Sequence, residues 1–228
     1  PYKKTNDKNT LSCDKSANLE FELLPHQKLI QEYLNIYTPY RGLLLYHGLG
    51  SGKTCSSITI AEGLKSDKQV IVMTPQSLNK NYREELQYCG DVFYKKLQHW
   101  EFIEVKPNTD LESYFVEMLN LKQEFIQKQK GVWIMNKSKQ ANYKTFSSKE
   151  QQMIDKQVTQ MIESKYQFIH YNGLRKNRIG ILTKNFTVNP FHNKVIVIDE
   201  AHNFVSMIVN KINNGSRDTL VYMLYEYL

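Results

Sequence analysis

Apolar positions along this chain fall into two patterns, short continuous runs and helical spacings. Leu43 to Tyr46, Gln69 to Pro75 and Val195 to Ile198 are runs with the length and β-branched content of strands covered on both faces of a parallel sheet. Tyr166 to Leu174 alternates like a strand, and Val92 to Tyr94, Trp100 to Val105 and Val132 to Met135 are shorter candidates. Between them, apolar residues recur at helical steps: Leu29, Ile30, Tyr33 and Leu34 after Pro25; Ile58, Ala61 and Leu64; Leu111, Phe115, Met118, Leu119 and Phe125; Ile154, Val158, Met161 and Ile162. Ser148 with Gln151 predicts a capping box for the last of these helices. Phe204, Ile208, Ile212, Leu220, Tyr222 and Leu224 continue the helical spacing, interrupted at Asn213 to Ser216. Strands alternating with helices predict an α/β domain over residues 19–228, its mostly parallel central sheet flanked by helices on both faces. Residues 1–18 are polar and read as a flexible lead-in, and a start at Pro1 is expected of a piece of a longer chain.

Two of the runs end in chemistry. After Leu43 to Tyr46 comes His47-Gly-Leu-Gly-Ser-Gly-Lys-Thr-Cys55. Gly48, Gly50 and Gly52 let the backbone N–H groups of a loop including Leu49 and Ser51 wrap phosphate oxygens. A helix starting near Lys53 then points its positive end, with Thr54 and Cys55 in its first turn, at the same anion. Lys53 is suited to neutralise the β and γ phosphates of ATP, and the Thr54 hydroxyl to ligate Mg²⁺. The strict form of the loop has glycine where this chain has His47. A Gly-rich turn with incidental Lys and Thr is the competing reading, disfavoured because strand, loop and apolar helix follow in the order the mechanism needs. After Val195 to Ile198 come Asp199 and Glu200, at the carboxyl end of a buried strand where ligands of parallel sheets sit. There Asp199 is placed to hold Mg²⁺ through water, and Glu200 to orient and deprotonate the attacking water.

The formal charge of +7 and pI near 9.1 change this picture through their distribution. No Asp or Glu lies between Glu163 and Asp199, where Lys165, Arg175, Lys176, Arg178, Lys184 and Lys194 all fall. Lys122, Lys128, Lys130, Lys137, Lys139, Lys144 and Lys149 form a second basic stretch. Beside an ATPase loop, such blocks fit a polyanion surface; alone they are a solvated face. Asn172 and Gly173, next to Arg175 and Lys176, suit contact to a nucleic-acid backbone. His170 has no second ligand at useful spacing and reads as a packed histidine. Cys13, Cys55 and Cys89 are odd in number and widely spaced, so a reducing compartment is expected, with Cys55 as a buried small residue rather than an oxidant-reactive one. No apolar run approaches the roughly 18 residues of a membrane span.

LxPHQ, HGLGSGKT, TPQSLNKNYREEL, FIHYNGL and VIVIDEAHNFVSMIVNKI, spread from Leu19 to Lys211, together resemble the superfamily 2 DEAH-type helicase-like ATPases of large cytoplasmic DNA viruses. Within that group the poxvirus early transcription factor large subunit and nucleoside triphosphate phosphohydrolase types are the most similar. The resemblance implies a RecA-like first lobe with ATP and Mg²⁺ as cofactors. In it, Gln27 reads adenine through its carboxamide, and His202 couples hydrolysis to a neighbouring lobe. Pro75, Gln76, Ser77 and Asn81 hold a nucleic-acid phosphate. It further implies a second RecA-like lobe of the same polypeptide bearing arginine fingers, duplex DNA as partner, viral RNA polymerase or transcription factor subunits as neighbours, and residence in the virion and host cytoplasm. An insertion is expected near residues 136–165, and these residues alone are expected to be nearly inactive because the transition-state clamp needs both lobes. Two other functions remain open in the sequence: a transcription-complex subunit whose contacts switch with ATP occupancy, and an RNA helicase.

Overall fold

A computed structural model of the chain describes residues 23–48, 50–64, 68–172, 174–213 and 220–228, the last three residues of the 201–213 helix by backbone only. The expected lead-in, Cys13, Leu49, Gly173, Asn214 to Ser216 and the side chain of Ile212 lie outside the described residues.

In chain order the elements are α1 (Pro25–Tyr33), α2 (Lys53–Leu64), β1 (Val70–Thr74), α3 (Asn79–Cys89), β2 (Trp100–Glu104), α4 (Asp110–Leu119), α5 (Gln123–Gln129), β3 (Gly131–Met135), α6 (Ser148–Lys165), β4 (Tyr166–His170), α7 (Lys176–Leu182), β5 (Val195–Ile198), α8 (Ala201–Asn213) and α9 (Leu220–Glu226). β1 lies between β4 and β5 in a parallel three-stranded sheet, with Val72 opposite both Phe168 and Val197. Every residue of β1 is buried, which is why its sequence shows no polar alternation.

The period of two along these strands divides the core between two layers. Val70, Val72, Tyr166 and Phe168 join Cys55, Ile58 and Ala61 of α2, Tyr82 and Leu86 of α3, and Ile154, Val158 and Ile162 of α6. Ile71, Met73, Ile169 and Tyr171 join Phe204 and Ile208 of α8 and Val221 and Leu224 of α9. The result is the mixed α/β arrangement of a RecA-like domain, a parallel sheet with helices on both faces. A second, antiparallel pair of β2 and β3 sets Phe102 opposite Trp133. α6 attaches to it through Gln157, whose carboxamide accepts from Trp133 N at 2.9 Å and donates to Trp133 O at 2.7 Å.

Several elements differ from the sequence expectation. Leu43 to Tyr46 is not a strand: Leu44 is 78% and Tyr46 93% exposed. Both edges of β1 are taken by β4 and β5, and the run pairs with neither outer strand. Val92 to Tyr94 is a 3-10 turn with Asp91 as its cap, not a strand. The helix expected from Leu111 to Phe125 breaks at Asn120, whose left-handed φ of 54° closes α4 before α5 begins. The capping box of α6 is Ser147 with Glu150, one residue before the expected pair. No helix among the described residues is long and apolar enough to cross a membrane.

Candidate nucleotide-binding site

The glycine loop is shaped by two left-handed residues, Gly50 at φ 74° and Gly52 at φ 75°. Ser51 Oγ donates to Gly48 O at 2.8 Å, closing the turn. The first backbone bond of α2 is Ser56 N to Gly52 O at 2.9 Å, so the N–H groups of Lys53, Thr54 and Cys55 precede it and face outward from the helix start as anion donors. Lys53 Nζ lies across the loop, donating to His47 O at 3.0 Å and Gly48 O at 3.4 Å.

α1 braces this loop. His26 Nε2 is 3.0 Å from Ser51 O, and Gln27 Nε2 donates to Gly52 O at 3.3 Å. Gln27 Oε1 also accepts from Leu24 N, and the residue is only 3% exposed. Both ends of the carboxamide that the resemblance assigns to adenine are thus bonded to backbone. The positive φ is what calls for glycine at 52, and a Cβ there would in addition stand 2.6 Å from Gln27 Nε2 and push that carboxamide aside.

The acidic turn stands at the tip of β5. Asp199 N donates to Met73 O at 2.9 Å, carrying the β1–β5 ladder one step past the strand. Partial burial, then the Glu200 charge, push the Asp199 carboxyl above its usual range, while the Glu200 N–H and the Lys53 ammonium pull it back. Lys53 at the start of α2 and Asp199 at the tip of β5, far apart in sequence, therefore lie near enough for their charges to interact. Glu200 adopts a left-handed φ of 51°, unusual for a side-chain-bearing residue, and its Oε2 is 3.2 Å from His202 Nδ1 on an exposed rim. Hard oxygen donors from Thr54 and Asp199, with a carboxyl group that a cation would relieve of its burial penalty, fit Mg²⁺.

Tyr171 is the residue that sequence reasoning missed. It leaves the end of β4 fully buried, donates its hydroxyl to Asp199 O at 3.0 Å and Glu200 O at 3.2 Å, and packs edge-on against Phe204. Burial and the two acidic neighbours push its pKa up to about 12, so it stays a donor into the alkaline range. The signal was present in the alternation, since Tyr171 stands two positions after Ile169 and so on the α8 face.

Thr74 and His170 are register partners, so the loops after β1 and β4 emerge side by side. Pro75 is buried, while Gln76, Ser77, Asn81, Asn172, Arg175 and Lys176 are exposed along this ridge. Arg83 stacks 4.1 Å over Phe168 and Arg178 reaches Phe168 O at 3.5 Å. Burial first, then these two cations, hold the His170 imidazole below its usual range, and among the described residues it belongs to no metal-ligand group. One cysteine expectation is overturned: Cys55 is not a free buried thiol but is bonded to Cys89, with Cα atoms 5.6 Å apart.

A phosphate loop, an acidic strand tip and a parallel sheet between helices define a helicase-like ATPase lobe. The chain matches the family described as type III restriction enzyme, res subunit, over residues 20–223, and it belongs to that family. It is 30% identical over 191 residues to a "Putative ATP-dependent RNA helicase" of Acanthamoeba polyphaga mimivirus, covering 82% of this chain and 25% of that protein. It is 25% identical over 184 residues to a "Putative helicase" of Invertebrate iridescent virus 3, covering 80% of this chain and 15% of the relative. A "Putative helicase" of Frog virus 3 is 39% identical over 70 residues, 28% of this chain and 7% of the relative. The chain thus spans a quarter or less of the length of these relatives. No solved structure matches it.

Proposed function

We propose that this chain is the first motor lobe of an ATP-dependent helicase or translocase that moves along or remodels nucleic acid during viral transcription. The observation that carries the reading is that Lys53, at the start of α2, and Asp199, at the tip of β5, lie close enough for the Lys53 charge to act on the Asp199 carboxyl. In the reaction, the Gly48–Cys55 amides and Lys53 hold the triphosphate, and Glu200 takes a proton from the water that attacks the γ-phosphorus. Mg²⁺, held by Thr54 and Asp199, would supply charge neutralisation on the β and γ oxygens. Tyr171 fixes the two carbonyls of the acidic turn and so aims its carboxylates. A second RecA-like lobe supplies the remaining cationic groups of the transition-state clamp, and His202 couples hydrolysis to that lobe, a role its exposed position beside Glu200 supports.

The ridge after β1 and β4 is the nucleic-acid track of this proposal. Support comes from its exposed Ser77, Asn81, Arg175 and Lys176. Duplex DNA is the expected substrate. The name of the mimivirus relative favours a second reading, RNA. Steady-state ATPase rates of the full-length protein with duplex DNA, single-stranded RNA or neither test both. Stimulation by DNA supports the first reading and stimulation by RNA alone the second. A rate indifferent to either points to an ATP-switched subunit of a transcription complex. The expected setting is the virion and host cytoplasm.

A further inference from the structure

Cys55 and Cys89 meet across two helices. Cys55 is the third residue of α2 and Cys89 the last of α3, and a Cα separation of 5.6 Å is one a disulfide spans without moving backbone. The helices are also held together without that bond. Ser57 Oγ and Tyr82 OH lie 3.0 Å apart, and Ile58, Ala61 and Leu86 are completely buried in the same cluster. Glu85 Oε2 stands 3.3 Å from Cys55 Sγ, placed to accept its S–H when the pair is reduced. The sulfurs therefore remain neighbours in either redox state.

We propose that Cys55 and Cys89 are a reversible thiol–disulfide site, closed by a small-molecule disulfide such as oxidised glutathione, and that closure tightens the adjoining nucleotide site. Cys55 and Cys89 are 6% and 7% exposed, so exchange occurs when the α2–α3 contact opens locally: one cysteine thiolate attacks a sulfur of the oxidant, forming a mixed disulfide and expelling a glutathione thiolate. The other cysteine thiolate then displaces the second glutathione. Two protons pass from the protein thiols to the two leaving thiolates, and two electrons pass to the oxidant.

The second half of the proposal rests on the nucleotide-site reading above. Cys55 carries one of the amides that precede the first helical bond of α2, so anchoring its side chain to α3 holds a phosphate donor in place. Less conformational freedom is then lost when a triphosphate binds. An effect of about fivefold on affinity lies at the low end of coupling between sites, and linkage requires bound nucleotide to make the bridge about fivefold harder to reduce.

The test uses the full-length protein equilibrated with oxidised or reduced glutathione, alkylated, digested with trypsin and weighed without reductant. Cleavage after Lys53, Lys65, Arg83 and Lys95 places the two cysteines in the peptides 54–65 and 84–95. The expected result is a linked 54–65/84–95 species in the oxidised sample that reductant separates. Its absence overturns the proposal, as does stoichiometric zinc on the reduced protein, because Cys55, Glu85 and Cys89 have donor atoms within 4.8 Å of one another. This readout needs no nucleotide, so it stands apart from any failure of the ATPase reading. Binding of Mg²⁺ and a non-hydrolysable ATP analogue is then expected to be about fivefold tighter in the oxidised protein. Cys89→Ser and Cys89→Ala should bind equally in both conditions, with the affinity of the reduced wild type. Equal wild-type affinities, or a redox response that survives in either variant, overturn the clamp.

Discussion

Gly52 carries two constraints at one residue, a left-handed φ of 75° and a Gln27 amide 2.6 Å from where a Cβ would sit. Gly52→Ala should therefore cost about 1–3 kcal/mol of stability from backbone strain alone and displace the Gln27 carboxamide from the loop. Calorimetry should show a lowered Tm together with lost binding of a non-hydrolysable ATP analogue; retention of both would mean the loop does not need this conformation. Tyr171 makes a different argument, because its hydroxyl serves two carbonyls of the acidic turn. Tyr171→Phe leaves those part-buried acceptors a donor short, at a cost of about 1 kcal/mol, and should lower kcat of the full-length ATPase about tenfold with KM unchanged. A lower Tm with kcat intact would make Tyr171 a structural tie only. The same phenol, raised from 10.0 to about 12, has a pH signature. Its stabilising contribution is complete below pH 10 and is lost as pH rises toward 12, because the unfolded chain ionises first. In urea titrations the alkaline loss should be shallower for Tyr171→Phe. Residues with local chemistry, such as Lys53 beside glycines or Asp199 ending an apolar run, were legible from sequence. The inward face of Tyr171 was legible in the alternation, but its bond to Asp199 and the Cys55–Cys89 bond were not, since those partners lie 28 and 34 positions away.

At the scale of elements, α6 is bound to the β2–β3 pair by a side chain acting as a short stretch of strand. Gln157 is 2% exposed and satisfies both the N–H and the C=O of Trp133. Gln157→Ala would orphan both groups and open a space beside Ile154 and Val158, a loss of about 2–4 kcal/mol. Chemical unfolding should register it, and a change within 0.5 kcal/mol would show that water replaces the carboxamide freely. Helical spacing revealed α6 and its buried face, yet nothing in that spacing marked Gln157, because a polar residue on an apolar stripe has no pattern until its partner is known. The Leu43 to Tyr46 run shows the reverse error. Its composition matches β5, but the run stays exposed and pairs with neither outer strand of the sheet, and a sequence window holds no information about which segments find a partner. Asn120 broke a helix whose apolar spacing ran through it, since the left-handed turn at that position outweighs periodicity.

At the scale of the whole molecule, the question is whether the basic excess of +7 is a solvated surface or a track. Lys137, Lys139 and Lys144 are exposed on the segment between β3 and α6. Lys139 already pairs with Glu101 at 2.7 Å, and the Lys139 and Asn136 hydrogen bonds hold the Glu101 carboxyl below its usual range. That pair is solvent-exposed, so breaking it costs little stability and leaves charge reversal readable as a binding effect. If the three lysines each neutralise a phosphate of duplex DNA, reversing all of them to Glu should flatten the slope of log K against log salt by about 3 in the full-length protein. Affinity at low salt would fall with it, by much more than the loss of one ordinary hydrogen bond. The ridge of Ser77, Asn81, Arg175 and Lys176 would continue to bind, so residual affinity with a shallower slope is the expected outcome. An unchanged slope would confine the track to the loops after β1 and β4, and assign the segment between β3 and α6 to solvent.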